Sequence, residues 1–234
     1  MKNWYTEAII IAIGLFLMGN LIGSGLETIG ETKRKVYVKG LAEMEVAANK
    51  VIWPLTHKTL GNNLVTIYDE MKLTNQTIEK FLVEKGISPE EISVSAPEII
   101  DMKAERYSSG TPSPYRYNVT SVVTVTSEKV DLVRELISSQ GELLRRGVAI
   151  TSGDYRYQTQ WEFTKLNDIK PQMIEQATHN ARQSAEKFAK DSDSDLGKIL
   201  SANQGQFTIE DRDANTPHIK KVRVVTSITY SLKH

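Results

Sequence analysis

His57, His179, His218 and His234 are the four histidines of the chain, and no two stand at the spacing that lets a pair of imidazoles share a metal ion on one helix face. There is no cysteine, which excludes thiolate zinc sites, cysteine nucleophiles and disulfides together. A serine nucleophile needs a sharp turn with histidine and carboxylate at hand, and no Gly-x-Ser-x-Gly elbow or glycine-rich phosphate loop is present. Asp191-Ser-Asp-Ser-Asp195 imitates the opening of a calcium loop. Leu196 stands where its turning glycine belongs, however, and Ala202 where the bidentate glutamate belongs. Glu210-Asp-Arg-Asp213 reads as a solvated loop, and Asn75-Gln-Thr and Asn118-Val-Thr match a glycosylation pattern that matters only in a glycosylating host. The expectation is a protein with no catalysis of its own, no metal and no cofactor.

One set of residues retains a use. Tyr155, Tyr157, Trp161 and Phe163 alternate with polar side chains across Asp154–Phe163, which predicts a half-buried strand with its aromatics on one face. Such a face is a core wall, an oligomer contact or a stacking platform for a ligand. Lys plus Arg (29) equals Asp plus Glu (29), so no basic field is available to hold a nucleic acid.

The first element to place is the uncharged run Ala8–Leu26 (AIIIAIGLFLMGNLIGSGL). As a helix it is roughly 28 Å long, close to the ~30 Å hydrocarbon core of a bilayer. It is expected to be an uncleaved anchor over 1–27, followed by a linker over 28–35. A cleaved signal peptide competes, given Lys2 and Gly23-Ser-Gly25, but the apolar core is long and no Ala-x-Ala follows it. Charge leaves the orientation evenly balanced: Lys33-Arg34-Lys35 favour an inward domain, while Glu27, Glu31 and the size of the following domain weaken that preference.

The remaining chain predicts α+β architecture in the order β-β-α-β-β-α-β-α-β-β. Val36–Val46 and Lys50–Thr59 read as a hairpin-like pair, with Pro54 at an edge or bulge. Leu64–Lys85 reads as an amphipathic helix stopped by Gly86, with a capping box at Ser88-Pro-Glu-Glu91. Ile92–Arg106 and Tyr115–Thr126 read as antiparallel strands around the loop Tyr107–Pro114. Ser127 is expected to cap a helix over Glu128–Gln140, and Gly141–Ser152 to be a connection. A third helix opens near Asn167 or Asp168, with Met173, Ile174, Ala177, Ala181, Ala185, Phe188 and Ala189 inward. Strands Gly197–Phe207 and Lys220–Leu232 close the chain. Helices alternating with antiparallel pairs favour layers over a doubly wound sheet.

In this order the residues resemble the SIMPL-domain proteins, a bacterial envelope family. Val36-Tyr-Val-Lys-Gly-Leu-Ala-Glu43 is similar to the family's opening strand, and Gly86-Ile-Ser-Pro-Glu-Glu-Ile92 to its Gly-Val-x-x-x-Asp-Ile turn. A tyrosine-bearing hairpin at Tyr115-Arg-Tyr117, the alanine-striped helix Ala177–Ala189 and the closing Val222–Tyr230 complete the likeness. The chain departs at Ala48-Asn49, where members usually carry Pro-Asp or Ala-Asp, and in the uncleaved anchor. The resemblance implies a SIMPL-like domain over 36–234, divisible into two subdomains, facing the periplasm from the inner membrane. It also implies a link to envelope or oxidative stress tolerance; action through homo-oligomerisation or an envelope protein partner is the expectation set beside it. The alternative is a periplasmic small-ligand or peptide binder using a cleft between the halves, and an unrecognised hydrolase is the remaining reading.

Overall fold

The structure, a computed structural model, describes residues 4–104 and 113–233, with the side chains of 5–7 and 24–33 outside the description. In chain order the elements are α1 (Trp4–Lys33), β1 (Lys35–Ala47), β2 (Lys50–Gly61), α2 (Leu64–Glu84), β3 (Ile92–Val94), β4 (Glu98–Asp101) and β5 (Tyr117–Ser127). Then follow α3 (Val130–Ser139), α4 (Gly141–Arg145), β6 (Gln160–Glu162), α5 (Leu166–Asp191), β7 (Asp195–Gln204), β8 (Thr208–Asp211) and β9 (Ile219–Lys233). The fold is α+β with antiparallel pairing, as its sequence leads one to expect.

Two compact units form. The first comprises Met1–Met44, Leu166–Glu210 and Lys221–His234. Its sheet runs β1-β9-β7, with β8 also on β9. Helix α5 lays Ala177, Ala181, Ala185 and Ala189 inward, all buried, because only side chains this short let a helix backbone approach a strand so closely. Gly40 on β1 marks the closest point: a Cβ there would lie 1.9 Å from the Ala177 carbonyl oxygen and 2.4 Å from the Ala181 nitrogen. Phe188, expected inward, is 60% exposed; it follows the alanine stripe out of phase, one residue before Ala189. Every described side chain of α1 from Ala8 to Gly23 is exposed, so the apolar surface continues around the whole helix. Counted over the described residues alone, no helix is long and apolar enough to cross a membrane.

The second unit comprises Glu45–Lys165 and Asp211–Lys220. Its sheet runs β3-β5-β2-β6, with β4 also on β5. Strands β2 and β5 pair from Val51↔Ser127 to Gly61↔Tyr117. Val51, Trp53 and Leu55 share the face turned to the apolar core with Ile78, Phe81 and Leu82 of α2. Gly86, at φ +97, ends α2 in the left-handed conformation that a Cβ disfavours. Ile87 N–H then returns to the Leu82 carbonyl at 3.0 Å.

Several sequence expectations need correction. β1 and β2 are not a hairpin, since they lie in different sheets; β2 is claimed by the long valine and threonine run of β5. The strand expected over Ile92–Arg106 breaks between Val94 and Glu98, where Pro97 removes an N–H donor. The loop expected at Tyr107–Pro114 lies mostly outside the described residues. The connection Gly141–Ser152 contains α4, whose Leu143 is fully buried. Pro54 does occupy a locally open edge, because β6 covers only Lys50–Ile52 of β2.

Gly40→Ala is expected to destabilise the protein by about 3 kcal/mol or more, since the obstacle is helix backbone and no rotamer can relieve it. Urea unfolding of the variant checks this, and an unchanged midpoint would mean that α5 does not rest on β1 as described.

Candidate binding cleft

A cleft of about 640 Å³ opens in the second unit, beside β6. Ile137, Trp161, Pro217 and His218, each half-buried, make its floor, and Arg134 and Ser138 stand at its rim. Three pieces of chain supply these groups. Strand β6 hangs on β2 through Val51↔Trp161, and the Trp161 indole packs against the core cluster of Val51 and Val133. Its remaining surface meets the His218 imidazole edge to face, with ring centres 6.0 Å apart at 67°, the arrangement that ring quadrupoles favour.

The loop bearing His218 is held from inside. The Asp213 carboxylate accepts the N–H groups of Asn215 and Thr216, both at 2.9 Å, the Thr216 hydroxyl, and Arg212 Nε at 3.0 Å. The Thr216 hydroxyl bond, then Arg212, pull its pKa down to about 2. Arg212 Nη2 also donates to the Thr216 hydroxyl at 2.9 Å. The His218 carbonyl accepts the Ala48 N–H at 2.8 Å, which fastens the loop beside β2.

The third piece is α3, and its start is fixed by a carboxylate. Glu91 accepts the Ser127 hydroxyl at 2.6 Å, the Ser88 N–H at 2.8 Å and Lys129 Nζ at 3.0 Å. The expected capping glutamate thus also ties the end of β5 to the entrance of α3. The helix begins at Val130, with the Ser127 hydroxyl accepting the Lys129 N–H at 3.0 Å. Burial opposes ionisation of Glu91, but the bonds from Ser127, Ser88 and Lys129 outweigh it and hold the carboxyl at about 2.

One guanidinium, Arg134, and two carboxylates, Asp131 and Glu135, line the cleft beside His218. Burial first, then Arg134 and Arg212, lower the His218 pKa against the smaller opposing effects of Asp131 and Asp213. The neutral imidazole is thereby favoured over the imidazolium. Arg212 is occupied within its loop. Among the described residues the Arg134 guanidinium pairs with Asp131, at 3.3 Å, whose side chain is 93% exposed; a pair so open to water contributes little to stability.

Of the aromatic set, the structure brings only Trp161 to this cleft. Asp154–Phe163 is not one strand: Tyr155–Tyr157 form a 3₁₀ turn capped by Asp154, and β6 is confined to Gln160–Glu162. Gly153, at φ +104, and the Asp154 bond to the Arg156 N–H at 3.0 Å turn the chain before the alternation can act. Tyr155 is 81% exposed, Tyr157 leans toward Glu98 at 3.4 Å beneath the Arg156 guanidinium, and Phe163 is half-buried after β6. His218 and Arg134 carried no local sign of a site; they meet Trp161 only through tertiary pairing.

His57 lies elsewhere, buried on β2 opposite Ser121. Its Nε2 donates to Asn75 Oδ1 at 2.7 Å, and the Ser121 hydroxyl donates to the same oxygen at 3.1 Å. Burial lowers the His57 pKa, and the Asn75 bond partly restores it. His179 is exposed on α5, and His234 is outside the described residues. Asp191 and Asp195 end α5 and begin β7. Among the described residues no group of three or more acidic, histidine or cysteine side chains could hold a metal ion.

The fold and the cleft define an α+β domain of antiparallel sheets packed against helices. A family model described as SIMPL, a protein of unknown function, matches residues 36–230, and the chain belongs to that family. No curated protein matches the sequence.

Two outcomes follow from this geometry. Glu91 titrates lower folded than unfolded, so its contribution is whole above the ordinary 4.5 and is lost as pH falls toward about 2. Glu91→Gln should therefore cost about 1 kcal/mol at pH 7, and chemical unfolding at pH 7 and pH 3 should show the difference from the parent shrinking with acid. Asn75→Ala leaves two buried donors unmatched and should cost about 2–4 kcal/mol in urea unfolding at pH 7.5.

Proposed function

We propose that this chain is a membrane-anchored, envelope-facing SIMPL-domain protein that acts by binding, without catalysis of its own. The observation that supports the anchor is α1, helical over 30 residues, whose described side chains from Ala8 to Gly23 are apolar but for Asn20 and exposed on every side. A helix apolar all round belongs in a protein core or in lipid. The domain faces the periplasm, held at the inner membrane by residues 8–26, in keeping with the exported character of the relatives it resembles. Its partners are envelope proteins or further copies of itself, and its role is in envelope or oxidative stress tolerance.

The cleft at Trp161 favours a second reading in which the same domain receives a small ligand or peptide. An aromatic floor with a few polar groups converging on it is the usual form of a binding site. His57 fits a non-catalytic protein as well, since its Nε2 and the Ser121 hydroxyl are both spent on Asn75 Oδ1.

Protease treatment of spheroplasts, with alkaline extraction and intact mass measured alongside, tests the anchor. The domain should be digested in intact spheroplasts, resist alkaline extraction and retain Met1–Leu26 by mass. Protection until lysis would overturn the outward orientation, and release by alkali would overturn the anchor.

A further inference from the structure

Thr56 and Lys58 stand two apart on β2, so they share the face opposite the one that sends Leu55 into the core. The loop that follows α4 lies against this outer face. Thr151 donates its N–H at 2.7 Å and its hydroxyl at 3.1 Å to the Thr56 carbonyl. Gly153, at φ +104, then turns the chain, and the Asp154 carbonyl accepts the Tyr157 N–H at 3.1 Å. Between these fastened points the turn holds Tyr155 out, 81% exposed. Strand and loop enclose a hollow of about 630 Å³ whose walls include Thr56, Lys58, Ser152, Asp154, Tyr155 and Arg156, a size usual for a small-ligand site.

The polar groups of the hollow have bonding capacity to spare. Thr56 is only 4% exposed, yet among the described residues its hydroxyl has no hydrogen-bond partner, a state that costs free energy until a ligand or water meets it. The Ser152 hydroxyl and the Lys58 ammonium are unbonded among the described residues as well. Each hydroxyl can both donate and accept, and the ammonium donates. Arg156 holds Asp154 through Nε at 3.2 Å and Nη2 at 2.9 Å, and reaches Glu98 through Nη1 at 3.3 Å. Asp154 Oδ2 takes only the Nη2 bond, so it keeps a lone pair for an incoming donor. The clamp fixes that oxygen before anything binds, which limits the entropy lost on binding.

Charge and shape narrow the ligand class. Lys58 and Arg156 are matched by Asp154 and Glu98, so no surplus of either sign draws an ion. The lining holds no aliphatic side chain, which leaves an acyl chain or an apolar peptide side chain without a seat. What remains is a neutral molecule with several hydroxyls and one apolar face to lay on a tyrosine ring. A pyranose has that form: hydroxyls around its edge, and a patch of C–H groups on one face that packs against an aromatic ring. The groove of about 590 Å³ beside α2 lacks an aromatic side chain. In the hollow of about 310 Å³ on β9, Glu43 already holds Lys221 and Arg223, again with no aromatic side chain.

We propose that this hollow binds a neutral saccharide, with one pyranose face stacked on Tyr155 and its hydroxyls bonded to Thr56, Lys58, Ser152 and Asp154. The site is separate from α1 and from the cleft at Trp161, and goes beyond the function proposed above.

The test titrates the full chain in nanodiscs with methyl β-D-glucopyranoside and with the N-acetylglucosamine tetramer, followed by saturation-transfer NMR of the sugar C–H protons. Saturable binding is expected, with a Kd of about 1 to 10 mM for the single ring. Tyr155→Ala, an exposed change that leaves the fold intact, should weaken it about five- to tenfold, and Tyr155→Phe should restore it to within about twofold. Thr56→Val and Ser152→Ala should each weaken it about threefold or more, whereas Tyr68→Ala, at an exposed tyrosine on α2, should leave it within about twofold. Tighter binding of the tetramer would assign the site to a glycan chain, and equal affinity to a free sugar. Sorbitol, which has the hydroxyls without the ring face, should not compete. No saturation by either sugar, indifference to Tyr155→Ala, or full competition by sorbitol would each overturn the proposal. Saturable binding of inorganic phosphate with none of either sugar would overturn it too, and would make Lys58 the centre of an anion site; the anchored reading would stand in every case.

Discussion

The second unit depends on the ladder between β2 and β5. Its unbroken antiparallel register from Val51↔Ser127 to Gly61↔Tyr117 decides which side chains enter the core, because a slip of one residue would turn every side chain to the opposite face. With the register as it stands, Val51, Trp53 and Leu55 enter the core beneath α2, and His57 meets Ser121 where Asn75 can satisfy both. A shifted ladder would bury those polar groups without partners. The ladder also supports the cleft from two directions. Val51 carries Trp161 through β6, and Ser127 at the far end of β5 meets Glu91 and leads into α3. Two clamps at the end of α2 and α4, Lys85–Glu142 and Arg146–Glu84, both 2.8 Å, close over the buried Phe81 ring that Arg146 also overlies.

The first unit is governed by close approach instead. Gly40 and the alanines of α5 permit a helix and a strand to touch backbone to backbone, so its core gains contact at the cost of side-chain volume. The remaining large side chains cluster at Val38, Ile228 and Tyr230. Small residues at fixed positions thus do in one unit what a hydrogen-bonded register does in the other.

Periodicity revealed α2 and α5 well because each has one apolar face. Ile67, Met71, Asn75, Ile78 and Leu82 were legible as the inner stripe of α2, and Ala177–Ala189 as that of α5. Gly86 and the Ser88–Glu91 cap were legible because their chemistry is local. Partnership between strands was not: the spacing of β1 and β2 fits a hairpin, yet the choice of β5 as the partner of β2 is made by burial over the entire face. The aromatic alternation at Asp154–Phe163 misled for the opposite reason, since a left-handed Gly153 and an Asp154 cap overrode a pattern fit for a strand. Trp161 was legible as part of a contact face, but Arg134 and His218 were not. One stands on the solvent side of a helix and the other in a polar loop, and only the folded chain brings them to the same indole.

The cleft beside β6 is the centre of this account, and its most exposed requirement is the stiffness of the loop that carries His218. Hydrogen exchange of the full chain in nanodiscs, resolved to the segment 211–220, measures that stiffness directly. The bonded amides of Arg212, Asn215, Thr216 and Ile219 should exchange as slowly as those of neighbouring strand residues without any ligand present. Exchange at the rate of an unstructured loop would contradict the account, because the aromatic wall would then form only after binding.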